Sequence, residues 1–189
     1  VKLVSAGFTE GFYYKPRIDY NLLKQHTEGL ICLSACLSGD LPKLLLQGRT
    51  EDAKKYALEM QALFGKGNYF VEIMDHGLPE ERMVLPRLKA LARETGIPLV
   101  ATNDCHYLYR EDAAAQEVLM CIQTGKTLQD ETRMRMETEE LYVKSEAEML
   151  SLFADCPQAV HQAGEIAARC QVTFEFGKLH LPRFPIETG

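Results

Sequence analysis

The chain has 189 residues, 46% hydrophobic and 25% charged, with no tryptophan, the makeup of an ordinary globular protein of one domain. No apolar run approaches the ~18 to 20 residues of a membrane span, and VKLVSAGFTEG lacks the long apolar core and small-residue cleavage site of a signal peptide, so a cytoplasmic protein is expected. A net charge of -6 gives no overall attraction to nucleic acid, whose non-specific binding rests on Lys and Arg neutralising phosphates.

Two amphipathic helices are expected first, one in VKLVSAGFTEGF and one after the turn in YYKPRIDYNLLKQH. Helices of this kind normally cover a sheet. A strand follows in GLICLSA from Gly29, then helical SGDLPKLLLQG and RTEDAKKYALEMQALFG. In the latter, Thr50 can cap, Tyr56, Ala57, Met60, Leu63 and Phe64 share a face, and Gly65 ends the helix. The second strand is NYFVEIM from Asn68. Its following helix, LPEERMVLPRLKALARETG, carries Val84, Leu88 and Leu91 along one side and stops at Gly96, with a bend expected at Pro86. The third strand is IPLVATN from Ile97.

Three more helix starts come later: Asp112 before AAAQEVLMCIQTG, the Ser145 and Glu148 capping box, and Pro157 opening PQAVHQAGEIAARC. The tail VTFEFGKLHLPRFPIETG reads as a short strand and a Pro-rich exit. Strands alternating with helices predict an α/β protein with a mostly parallel sheet.

Arg133 and Arg135 form a local basic cluster, but acidic residues surround them in QDETRMRMETEE, which reads as a solvated charged loop. The six cysteines, Cys32, Cys36, Cys105, Cys121, Cys156 and Cys170, include no C-x-x-C pair, and several lie in apolar segments. Reduced, mostly buried thiols are expected, not a disulfide framework.

Chemistry gathers at the strand ends. In PLVATNDCHYL, positions i and i+2 of a strand share a face, so Asp104 and His106 can point to one side and Cys105 to the other. In parallel α/β folds ligands collect at the carboxyl ends of strands. Cys36 also lies just past a strand end, and as a thiolate it would favour zinc or a related ion over magnesium; its bland alternative is a small buried apolar residue. Glu72 and His76, in VEIMDHG, are candidates for holding a metal ligand's free nitrogen or oxygen. Solvated turn residues would look the same. His26, His161 and His180 have no partner at suitable spacing and receive no role.

Taken in order, EGFYYKPRID, EGLICLSACLSGDLP, GNYFVEIMDHG, PLVATNDCHYL and LHLPRFP resemble the later half of the PHP domain that opens the bacterial replicative DNA polymerase III alpha subunit. The resemblance covers nearly the whole chain, residues 1–180, with 181–189 as a linker toward a polymerase palm domain. It implies an incomplete, distorted barrel of parallel strands and crossover helices. It also implies a divalent-metal site, zinc or manganese, serving phosphoester hydrolysis of the 3′ to 5′ exonuclease type when all ligands are present. Carried over by position, the family's metal ligands fall on Cys36, Asp104 and His106, while no catalytic acid or base is assigned.

The family's remaining ligands, beginning with an H-x-H pair, belong upstream of Val1, so this segment is expected to be inactive alone. Polymerisation would occur in the parent enzyme, with DNA and other replicase subunits as partners. The alternative is a catalytically silent module that braces the polymerase and binds a proofreading exonuclease. A free-standing PHP phosphatase ranks below both.

Overall fold

The computed structural model describes residues 1–179 and 181. Three strands, β1 (Cys32–Leu33), β2 (Tyr69–Ile73) and β3 (Leu99–Ala101), form one parallel sheet in the order β1-β2-β3. Cys32 stands opposite Tyr69, and Val71 and Ile73 opposite Leu99 and Ala101. Parallel neighbours need crossovers. These are α3 (Asp40–Leu46) and α4 (Thr50–Phe64) between β1 and β2, and α5 (Pro79–Thr95) between β2 and β3.

All five residues of β2 are buried, as a central strand covered on both faces requires. Tyr69, Val71 and Ile73 join Leu41, Leu45, Ala53, Ala57, Val84, Leu88 and Leu91 in the main core. Further on, α6 (Ala113–Thr124) follows a 3-10 turn at Arg110–Asp112, and α7 (Glu146–Leu152) and α8 (Pro157–Arg169) complete the described elements. Phe153, Ala159 and Val160 close the core beside β3. No helix among the described residues is long and apolar enough to cross a membrane.

The expected mixed α/β fold with parallel strands is present, but as an open three-stranded sheet. Three strands cannot curl far enough to close on themselves, since even small barrels use about eight. β1 is also much shorter than GLICLSA suggests. Its amides reach the carbonyls of Asn68 and Phe70, and then Ala35 turns the chain away at φ +67°.

Several local expectations change as well. Thr50 is the first residue of α4, not its cap; Arg49 takes that position and pairs with Asp52 at 2.8 Å. Pro86 does not interrupt α5, which runs unbroken to Thr95. Both Pro86 and Arg82, whose carbonyl loses its partner, lie on the exposed side where water can replace the bond. Asp112 lies at the N-cap of α6 without capping it through its side chain, which accepts from the Tyr109 amide at 3.0 Å.

The N-terminal helices cover the core less than expected, with Leu23 of the second packed against it. In α1 (Lys2–Thr9) only Gly7 is buried, and α2 (Tyr20–Lys24) buries nothing fully. α1 leans on the segment that enters α2: a methyl group on Gly7 would lie 3.5 Å from the Arg17 carbonyl oxygen, and one on Gly11, just past the helix, 1.9 Å from it. The strand expected at the tail is absent among the described residues, where Val172, Phe174 and Phe176 are exposed; alternation alone makes no strand without an edge to pair with. The proposed linker, apart from Leu181, and His180 lie outside the described residues.

Arg133 does not belong to a solvated loop. Its side chain is 10% exposed and pairs with Glu117 of α6, fastening the segment after α6 back onto that helix. All six cysteines are free, and the expectation of burial holds for Cys121 but not for Cys105 and Cys170, which are exposed.

Candidate metal centre at the strand ends

In a parallel sheet all strands finish on the same side, so the exits of β1, β2 and β3 lie together. The exit of β1 is a tight turn. Ser34 Oγ accepts the Glu72 amide at 2.8 Å, and the Ala35 amide donates to Glu72 Oε2 at 2.9 Å. The Gly39 amide returns to the Cys36 carbonyl at 2.8 Å, just ahead of α3. Gly39 is required by space: a Cβ there would come within 2.6 Å of the Ser34 carbonyl oxygen.

Glu72 belongs to β2 and is 8% exposed. Its second oxygen, Oε1, accepts the Thr102 hydroxyl at 2.6 Å. One buried carboxylate therefore ties the exit of β1 to the exit of β3. A buried carboxylate needs hydrogen-bond donors, and here each oxygen has one, a backbone amide at Oε2 and a hydroxyl at Oε1.

His76 lies beyond the end of β2, 4% exposed. Its Nδ1 is 2.6 Å from Glu81 Oε1 and its amide donates to Glu81 Oε2 at 2.6 Å. Nε2 accepts the Asp104 amide at 3.1 Å. Because an amide only donates, Nε2 carries the lone pair and Nδ1 the proton. Burial pushes the Glu81 carboxyl upward, but the hydrogen bonds from the His76 ring and backbone outweigh it and leave Glu81 below the ordinary carboxylate range.

Beyond β3, the side-chain amide of Asn103 donates to the carbonyls of Glu140 and Tyr142 at 3.0 and 2.7 Å. The His106 amide donates to the Leu141 carbonyl at 2.8 Å, and the ring's Nδ1 donates to the Asp104 carbonyl at 2.9 Å. That second bond places the ring proton on Nδ1 and leaves Nε2 as a free lone pair, the form in which imidazole binds a metal. The Asp104 and His106 side chains are 44% and 34% exposed, with Asp104 Oδ1 3.7 Å from His106 Nδ1.

The alternation argument for Asp104 and His106 fails in its detail, because β3 ends at Ala101. They are brought together by a turn in which one ring bonds the other residue's carbonyl. Glu72 lies within β2, whereas His76 lies beyond its end at Ile73. Cys36 lines a cavity of about 20 Å³ with Glu72, Met74 and Glu81, and neither Asp104 nor His106 lines it. Among the described residues, no three of His, Cys, Asp and Glu are placed to hold one ion. Asp104 and His106 are donors of types that zinc accepts, but two donors are fewer than the about four it takes.

Sequence reasoning missed Ser34, Glu81 and Thr102. Glu81 had a signal, being an acid three residues after the helix cap at Leu78, though nothing local announced its reach to His76.

Residues 1–76, which include the turn of Cys36 and end on His76, match the family model described as PHP domain. The chain is also 52% identical over 170 residues to the DNA polymerase III subunit alpha of Treponema pallidum, covering 90% of this chain and 14% of that protein. It is 44% identical over 190 residues to the protein of that name from Borreliella burgdorferi (99% of this chain, 16% of that protein) and 45% identical over 194 residues to the one from Deinococcus radiodurans (100% and 14%). The chain thus spans about a seventh of the length of the curated relatives it matches.

Proposed function

We propose that this chain is part of the PHP domain of a replicative DNA polymerase alpha subunit, and that Cys36, Asp104 and His106 contribute to a divalent-metal centre for phosphodiester hydrolysis of the 3′ to 5′ exonuclease type. One observation carries the reading. The His106 ring, whose Nδ1 donates to the Asp104 carbonyl and so leaves Nε2 its lone pair in the neutral form, lies with Nδ1 3.7 Å from the Asp104 carboxylate at the common exit of three parallel strands. Zinc or manganese suits this imidazole and carboxylate pair, and a thiolate would tilt the choice to zinc.

A bound divalent ion supplies Lewis acidity toward a phosphodiester. Asp104 and His106 would donate electron pairs to it, while Glu72 and His76 hold the segments that carry them. No general acid or base is assigned among the described residues, and on this reading further ligands and proton-transfer groups would complete the centre. DNA and other replicase subunits are its partners on this reading, and the cytoplasm its place.

The test is the metal content of the full-length polypeptide, measured by mass spectrometry after dialysis, with 3′-end trimming of single-stranded DNA as the activity readout. Wild type should retain zinc or manganese, and His106→Ala should lose most of it together with trimming. Unchanged metal content in His106→Ala would reject the ligand assignment. A second reading, a silent module that braces the polymerase and offers a surface to a proofreading exonuclease, draws support from the lack of a convergent ligand trio among the described residues. It predicts a wild-type polypeptide without bound metal that still assembles with the exonuclease.

A further inference from the structure

We infer that Glu81, acting through His76, is a positioning residue for Asp104. The inference rests on the reading of Asp104 as a metal ligand and adds how that ligand is aimed. Both main-chain polar groups of Asp104 are engaged. Its amide donates to His76 Nε2 at 3.1 Å, and its carbonyl accepts His106 Nδ1 at 2.9 Å. With both neighbouring peptide planes fixed, the direction of the Cα–Cβ bond is fixed too, and with it the origin of the carboxylate.

The amide bond exists only in one tautomer of His76. A proton on Nε2 would face the Asp104 N–H, donor against donor. Glu81 selects the productive form by accepting the Nδ1 proton at 2.6 Å, in a pair whose side chains are 3% and 5% exposed. The carboxylate is itself anchored, because Oε2 also accepts the amides of His76 at 2.6 Å and Leu78 at 3.3 Å at the start of α5. The Thr138 hydroxyl donates to the His76 carbonyl at 2.9 Å. Three segments therefore meet at His76: Glu81 and Asp104 on its ring and Thr138 on its backbone carbonyl.

The donors all point the same way, from His106 to Asp104, from Asp104 to His76, and from His76 to Glu81. Hydrogen bonds aligned head to tail strengthen one another in a low-dielectric site. The terminus is an anionic carboxylate whose burial is offset by the bonds it accepts. A buried imidazole used only for packing would need neither the carboxylate nor the tautomer; the aligned chain makes sense as a device for holding its exposed end.

Three measurements on the full-length polypeptide test this. Nitrogen NMR of histidine-labelled wild type should find His76 protonated at Nδ1 and bare at Nε2; a proton on Nε2 overturns the inference without any variant. Manganese(II) titration followed by electron paramagnetic resonance should then show affinity about ten- to a hundred-fold weaker in Glu81→Ala and His76→Leu. His76→Gln, whose side-chain oxygen can reach the Nε2 position and accept the Asp104 amide, should recover most of that loss. The cobalt(II) absorption spectrum should shift in His76→Leu and return toward wild type in His76→Gln, which a loss of general stability would not produce. Asp104→Ala separates the two levels of argument. If it leaves manganese affinity unchanged, the ligand reading itself fails. If it weakens binding while Glu81→Ala and His76→Leu do not, only the positioning role fails.

Discussion

Glu72 and Ala35 are joined across 37 positions of sequence: Glu72 Oε2 accepts the Ala35 amide at 2.9 Å, and Ala35 stands at φ +67°. An L-residue in that region costs about 1 to 2 kcal/mol, and glycine would remove the strain while losing about 0.5 to 1 kcal/mol to backbone entropy. Ala35→Gly should therefore leave stability level or raise it by up to about 1 kcal/mol. Ala35→Val should lower it. Urea denaturation of both variants checks the sign, and a glycine variant clearly less stable than wild type would contradict the account of this turn.

Glu72→Ala should cost about 1 to 3 kcal/mol, because it removes the acceptor of the Ala35 amide and the Thr102 hydroxyl, two partly buried bonds that water replaces only in part. Glu72→Gln keeps a carbonyl oxygen and should cost less. Amide hydrogen exchange at Ala35 provides the local reading, with protection lost in the alanine variant and largely kept in the glutamine one.

At Gly39 the constraint is steric. The backbone there is ordinary, at φ -71°, but a Cβ would sit 2.6 Å from the Ser34 carbonyl oxygen and 3.1 Å from the Cys36 carbonyl oxygen. Gly39→Ala should cost about 1 to 3 kcal/mol and open the turn around Cys36. Faster modification of Cys36 by a thiol reagent, in a background where the exposed Cys105 and Cys170 are replaced by serine, would report that opening; an unchanged rate would argue against it.

Acid should find Glu148. The Ser145 hydroxyl and amide donate to Oε2 at 2.6 and 2.7 Å, and the Tyr142 hydroxyl donates to Oε1 at 2.7 Å. The Ser145 hydroxyl first, then its amide and the Tyr142 hydroxyl, hold this carboxyl down at about 2, against 4.5 ordinarily. A lowered folded-state value means stability present above about 4.5 that fades as pH falls toward about 2. Glu148→Gln should thus be less stable than wild type near neutrality, with the gap closing across that acid window. Parallel acid titrations of thermal unfolding measure it, and a gap that stays constant would count against the role.

What could be read from the residues depended on range. The Gly96 stop, at φ +69°, and the Ser145 and Glu148 box are local devices, and each works as its spacing indicates. The unbroken burial of β2 follows from its composition. β1 and β3 could not be bounded from sequence, because a strand lasts only as long as its neighbour continues, and Ala35 and Thr102 leave the sheet for reasons set by Glu72. Asp104 and His106 were legible as a pair, but their juxtaposition comes from His76 and the Leu141 carbonyl, both distant in sequence. The burial of Arg133 depended on Glu117 and was hidden in a run of like-looking charges.

Glu72 also governs how the domain can vary. Because the outlets of β1 and β3 are pinned to a carboxylate inside the sheet, their spacing is inherited from the interior and is insulated from the surface. Segments farther out, such as the one Arg133 fastens to α6, can lengthen, shorten or exchange residues and change what reaches the strand mouths while the mouths themselves keep their shape.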